Sequence, residues 1–151
     1  MRAKATADLL AEVRDLSSAF DRLSQAVADK LGLSTTDLLA MDLISRDGGV
    51  TAGQIATHLN LTSGAITGVI DRLERAGYAK RAADAKDRRR VTVVRTAKGD
   101  RVGDLFAPLA TALRRTTEAY SESELAMLTD FLKKTTEAVG GTAKSIHASP
   151  R

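Results

Sequence analysis

Apolar residues recur at helical spacing in six stretches of this chain and at strand spacing in one. Leu9, Val13, Leu16, Phe20, Leu23, Val27 and Leu31 follow one another at intervals of three and four, which predicts a helix with one apolar stripe, ended by Gly32. Ser34-Thr35-Thr36-Asp37 opens a second helix in capping-box style, with Leu38, Leu39, Met41, Leu43 and Ile44 as its apolar set and Asp47-Gly48-Gly49 as its stop. Thr51-Ala52-Gly53-Gln54 caps a short third helix carrying Ile55, Ala56 and Leu59 inward. Asn60 turns the chain and Thr62 caps a fourth, whose Ile66, Val69, Ile70 and Leu73 fall at i, i+3, i+4 and i+7. Its other face is Ser63, Gly64, Thr67, Gly68 and Asp71, small or polar throughout, and Gly77 is its stop.

Residues 78–83 and 90–95 predict a two-stranded hairpin around Asp84 to Arg89, with Val91, Thr92, Val93 and Val94 in the second arm. Thr96 caps a long helix with Val102, Leu105, Leu109, Ala112 and Leu113 on one face. Ser121-Glu122-Ser123-Glu124 caps the last, which carries Leu125, Leu128, Leu132 and Val139 and is expected to end at Gly140-Gly141, leaving a mobile tail over 142–151.

Charge sharpens this outline. Residues 72–101 hold 11 Lys/Arg against 4 Asp/Glu, a local net of +7, whereas the whole 151-residue chain is only +4. Positive charge gathered on one helix and one hairpin is the electrostatic footprint of a nucleic-acid reader. Two short helices joined by a tight turn and followed by a hairpin form the winged helix-turn-helix order. The second helix of such a pair fits the major groove, and small residues on its face let the backbone approach. Thr62, Ser63, Gly64, Thr67 and Gly68 are therefore candidates for contact with DNA, with Ser63 and Thr67 offering hydroxyls. Arg88 at the hairpin tip is placed to enter a narrow, strongly negative minor groove. Arg72, Arg75, Lys80, Arg81, Lys86 and Arg90 are candidates for phosphate contact.

Composition excludes other classes. The absence of cysteine removes disulfides and thiolate metal sites, and His58 and His147 stand too far apart for a familiar metal spacing, so neither a metal nor a cofactor is expected. His58 reads as a surface polar residue, and Phe20, Met41 and Phe106 as core. No apolar run approaches the roughly 20 residues of a membrane span. The charged N-terminus MRAKATADLL lacks the form of a secretory signal, which points to the cytoplasm. Nothing resembles a nucleophile–base–orienter set or a phosphate-binding glycine loop, so no enzymatic activity is expected.

The stretch TAGQIATHLNLTSGAITGVIDRLERAGYAKR and the wing stretch Asp84-Ala85-Lys86-Asp87-Arg88-Arg89, followed by Val93 and Thr96-Ala97-Lys98-Gly99, resemble the MarR family of bacterial transcription regulators. The likeness runs nearly the whole length. It implies a mainly α fold with a small β-hairpin wing: a winged helix-turn-helix domain over 34–96 and a helical dimerisation region from 1–33 and 97–141. It also implies a homodimer acting on double-stranded DNA with a pseudo-palindromic operator, most often as a repressor. A crevice between the two kinds of domain would accept a small, often aromatic and anionic effector.

By the same resemblance Arg89 pairs with an acidic neighbour such as Asp71 or Asp87 and holds the wing in place. Gly68 departs from the family, which often has Arg there. Ala85 replaces a usual Pro, and Arg95 stands where an inward Leu is common. The alternative is a winged-helix protein-interaction module without a specific operator. The basic hairpin argues against it, because a protein-docking wing would expose apolar or aromatic anchors.

Overall fold

The computed structural model describes residues 1–46, 49–84 and 90–148. In chain order these are α1 (Arg2–Leu31), α2 (Thr35–Arg46), α3 (Ala52–Leu59), α4 (Ser63–Arg75), strands β1 (Ala79–Ala83) and β2 (Val91–Arg95), a four-residue α5 (Ala97–Asp100), a 3-10 segment (Arg101–Phe106), α6 (Ala107–Thr117) and α7 (Glu122–Ala148). The fold class is the expected one: mainly helical, with a two-stranded antiparallel hairpin. Two compact units are present, Met1–Leu105 and Phe106–Arg151. The end of α1 belongs to the first, for Val27 and Ala28 are buried there.

Local signals set most element ends. Gly32 closes α1 in the left-handed conformation at φ 67°, where a Cβ would be strained. Thr51 Oγ1 accepts from the Gln54 amide while Gln54 Oε1 accepts from the Thr51 amide, a complete capping box. Asn60 at φ 53° turns the chain out of α3, and Thr62 Oγ1 accepts from the Ala65 amide to start α4. The turn joining these two helices is therefore only Asn60 to Thr62 long.

The core of the first unit lies under α4. Ile66, Val69, Ile70 and Leu73 bury one face of that helix against Ala40, Met41 and Ile44 of α2, Ile55 of α3, and Tyr78, Ala79 and Val93 of the hairpin. At about 1.5–3 kcal/mol for each large apolar side chain removed from water, this cluster is what fixes α4 to the rest. β1 and β2 pair in register from Ala79 opposite Arg95 to Ala83 opposite Val91. Val50 bridges Val93 on the other edge of β2, with the two residues exchanging both backbone hydrogen bonds. That link ties the start of α3 to the hairpin.

Four expectations need correction. Phe20, read as core, is 45% exposed. The long helix after Thr96 is interrupted: α5 gives way to a 3-10 segment and α6 begins afresh at Ala107. Pro108, near the α6 start, has no backbone amide to donate to a carbonyl four residues back, which suits the first turn of a new helix and not the interior of a continuous one. The last helix does not stop at Gly140-Gly141 but runs on to Ala148. A helix-interior glycine costs only about 1 kcal/mol relative to alanine, too little to halt a helix propagating from both sides. In α2, Leu39 is 57% exposed while Ala40 is fully buried; packing against α4 selects the smaller side chain.

Candidate nucleic-acid interface

The outward face of α4 carries Ser63, Gly64 and Thr67 in the open, with Gly68 half-buried. A Cβ built at Gly64 would meet nothing within 4 Å, so another surface can approach that backbone closely. Thr67 donates its hydroxyl proton to the Ser63 carbonyl at 2.9 Å, leaving its oxygen as an outward acceptor. The Thr62 oxygen is occupied by its cap.

Two of the cations expected at phosphates are paired with carboxylates. Arg72 donates from Nε to both Asp37 oxygens at 3.2 Å and from Nη2 to Oδ1 at 2.8 Å. Asp37 is 1% exposed, and its Oδ2 also accepts from the Ser34 amide while Ser34 Oγ accepts from the Asp37 amide. The α2 cap and the anchor of α4 thus share one carboxylate. Burial alone would raise that carboxyl group's pKa, but hydrogen bonds from Arg72 and Ser34 and the nearby guanidinium charge bring it below its ordinary 3.8. No motif at i, i+3 or i+4 announces a pair 35 residues apart.

Arg81, on β1, takes the second pair of carboxylates. Its Nη2 donates to Asp71 Oδ1 at 2.9 Å, its Nη1 pairs with Glu74 Oε2, and its amide donates to Glu74 Oε1 at 2.7 Å. Among the described residues it is therefore Arg81 that binds the hairpin to α4 and meets Asp71, the role expected of Arg89. The physical reason is register: Arg81 projects from the strand that packs beside the last turns of α4. Arg75, Lys80 and Arg90 are exposed and carry no ion pair among the described residues. The expected contacts at Lys86, Asp87, Arg88 and Arg89 lie outside the described residues.

The C-terminal end of α4 is locked to the segment that follows the wing. Gly77, at φ 76°, ends the helix. Thr96 Oγ1 donates to the Gly77 carbonyl at 2.6 Å, and the Thr96 amide donates to the Tyr78 carbonyl at 3.1 Å. Lys98 Nζ donates to the Ala76 carbonyl at 2.8 Å and lies 4.2 Å from the centre of the Tyr78 ring. Sequence periodicity marked Thr96 as a cap but assigned no role to Lys98 or Tyr78.

Residues 33–91 match the family model for MarR. The chain is 40% identical over 111 residues to the uncharacterized HTH-type transcriptional regulator YcgE of Bacillus subtilis, covering 73% of this chain and 72% of that one. It is 34% identical over 119 residues to the HTH-type transcriptional regulator MhqR of the same organism, covering 78% and 79%. This chain belongs to the MarR family. As a MarR-family protein it is a helix-turn-helix transcriptional regulator and not an enzyme.

A MarR-family protein from Bacillus stearothermophilus shares the fold with a TM-score of 0.69 at 19% identity, over 93% of this chain and 99% of that one. S. aureus MepR, in a mutant form bound to an oligodeoxyribonucleotide, aligns with a TM-score of 0.57 at 21% identity over 87% and 97%. Against the MarR pattern, Arg95 at the usual inward leucine position is half-buried, its Nε 3.3 Å from Asp100 Oδ1. Among the described residues no helix is long and apolar enough to cross a membrane.

Proposed function

We propose that the chain is a homodimeric regulator that binds a pseudo-palindromic DNA operator through α4 and the hairpin, acts in the cytoplasm as a repressor, and is released by a small anionic effector. The observation that carries the DNA reading is the open face of α4, where Ser63, Gly64, Thr67 and Arg75 are exposed, together with exposed Lys80 and Arg90 on the hairpin. The oligonucleotide-bound state of S. aureus MepR, a relative in fold, supports it. Lys86, Arg88 and Arg89 add cations by sequence, and Asp87 belongs with them as a wing-positioning acid.

A second copy of the chain is the partner that the terminal helices call for. In α1, Leu9, Leu16 and Phe20 are each at least 45% exposed, and in α7 Leu132, Val139 and Ile146 are each at least 51% exposed. Among the described residues of α6 and α7 none is buried. Apolar stripes of that length need a cover, and α1 and α7 belong to the regions expected to dimerise, 1–33 and 97–141. The exposed Leu39 and Val91 are isolated by comparison, which weighs against the protein-docking alternative.

Two subunits related by a twofold axis should place half-site centres about one helical turn, roughly 34–36 Å, apart. Selection from random duplexes is expected to enrich an inverted repeat of that spacing, with affinity that falls steeply as salt rises. Enrichment of no inverted repeat would favour the protein-docking module instead.

The effector reading rests on a cleft of about 420 Å³ lined by Lys30, Leu31, Tyr78, Lys98, Arg101 and Val102, among others. A lining that combines an aromatic ring, aliphatic side chains and three cations suits a small aromatic carboxylate. A panel of such acids should release operator from the wild-type protein and not from Arg101→Ala. Equal release from both proteins would move the effector elsewhere; release by no acid would leave the cleft without this role.

A further inference from the structure

The guanidinium of Arg72 is only half used. Nε and Nη2 form one edge of the planar group, and that edge is filled by Asp37. The neighbouring edge, formed by Nη1 and the second proton of Nη2, has no partner in Asp37. The side chain of Arg72 is 48% exposed, while that of Asp37 is 2% exposed. One edge is thus anchored in the domain and the other faces outward.

Position 68 decides where that free edge lies. Side chains on a helix lean toward its N-terminus, so a long residue covers the turn before its own Cα. Arg72 follows Gly68 by four residues, and its Nη1 is 3.6 Å from the place a Cβ at 68 would occupy. The missing side chain at Gly68 leaves a notch, and Arg72 Nη1 lies beside it, on the flank of α4 away from Ser63 and Thr67.

We infer that Arg72 is the base-reading residue of α4, held edge-on by Asp37 so that its Nη1–Nη2 fork projects past Gly68 to a guanine in the major groove. Two parallel N–H donors match the O6 and N7 acceptors of guanine. Asp37 is then a positioning residue: it touches no DNA but fixes the fork before DNA arrives, so that less side-chain freedom is lost on binding. This rests on the DNA-binding reading above and assigns the specificity of that same face.

The test uses the full chain and the inverted repeat that the wild-type protein enriches. Replacing each operator guanine by 7-deazaguanine should weaken wild-type binding roughly 10-fold or more at one guanine in each half-site, the scale of one good bidentate contact. Arg72→Lys keeps the charge but loses the fork. It should relax base preference at that same pair of positions and make the 7-deazaguanine substitution there nearly neutral.

Asp37→Asn retains an acceptor for the Ser34 amide. It should weaken operator binding more than random-duplex binding, a split that loss of a merely structural contact would not produce. Three outcomes overturn the inference: wild-type binding indifferent to every 7-deazaguanine, Arg72→Lys selecting the same bases as wild type, or Arg72→Lys losing affinity equally on all duplexes. The last would make Arg72 a phosphate contact. If the wild-type protein enriches no repeat at all, the DNA-binding reading fails first and this assignment falls with it.

Discussion

Gly99→Ala is expected to be the most damaging single methyl group in the molecule. A Cβ at position 99 would overlap the Tyr78 carbonyl oxygen and stand 3.1 Å from Met41 Cε. Gly99 is buried, and its backbone conformation is not the obstacle; the obstacle is space. The Tyr78 carbonyl cannot move freely, because it accepts from the Thr96 amide and lies between the end of α4 and β1. To admit the methyl group, α5 must part from Tyr78, breaking the Thr96 bonds to Gly77 and Tyr78 and drawing Lys98 from the Ala76 carbonyl.

Overpacking of a tight site costs about 1–3 kcal/mol or more, and each lost hydrogen bond adds about 1 kcal/mol. Melting should therefore fall by roughly 10 °C or more for a unit of this size. DNA binding should fail with it, since the same contacts hold the C-terminal end of α4. A variant that melts within about 2 °C of wild type would show that α5 yields easily and that the Thr96–Gly99 turn is no clasp.

The second large effect concerns assembly. Phe20→Glu in α1 and Leu132→Glu in α7 each put a charge on an apolar stripe that no part of its own unit buries. Each should yield monomer or aggregate in light scattering. Operator affinity should drop roughly 100-fold or more, because the second half-site is then no longer bound intramolecularly. Deleting residues 1–31 would be a blunter test, since it also removes Val27, Ala28 and Leu31 from around the winged core. If both substituted proteins remain dimeric and bind as wild type does, these stripes have some other cover and the dimer proposal fails.

Legibility in the sequence followed distance along the chain. The caps at Thr51, Thr62 and Thr96 are where their side chains predicted them, because a cap is a contract among four neighbouring residues. The apolar face of α4 appears residue for residue in the core, since a 3.6-residue period needs no partner to be recognised. The break at Pro108 is equally local, but the apolar stripe of Val102, Leu105 and Leu109 runs through it, and that periodicity masks the missing amide. At Gly140-Gly141 the reverse holds: two adjacent glycines predict a stop, and the surrounding helix overrides it.

The cations of the candidate interface divided along the same line. Sequence alone determined that a basic helix-and-hairpin module exists, where its helices begin, and that α4 offers a small, polar face. Only the tertiary structure decided which basic residues meet a carboxylate within the domain. Arg72 meets a carboxylate 35 residues away, and Arg81 meets Asp71 and Glu74 across the junction of helix and strand. A charge in sequence has a sign but no neighbour. Whether it faces a phosphate, a base or a buried Asp37 depends on the packing of α2 against α4, which the pairing of apolar faces sets and no spacing rule records.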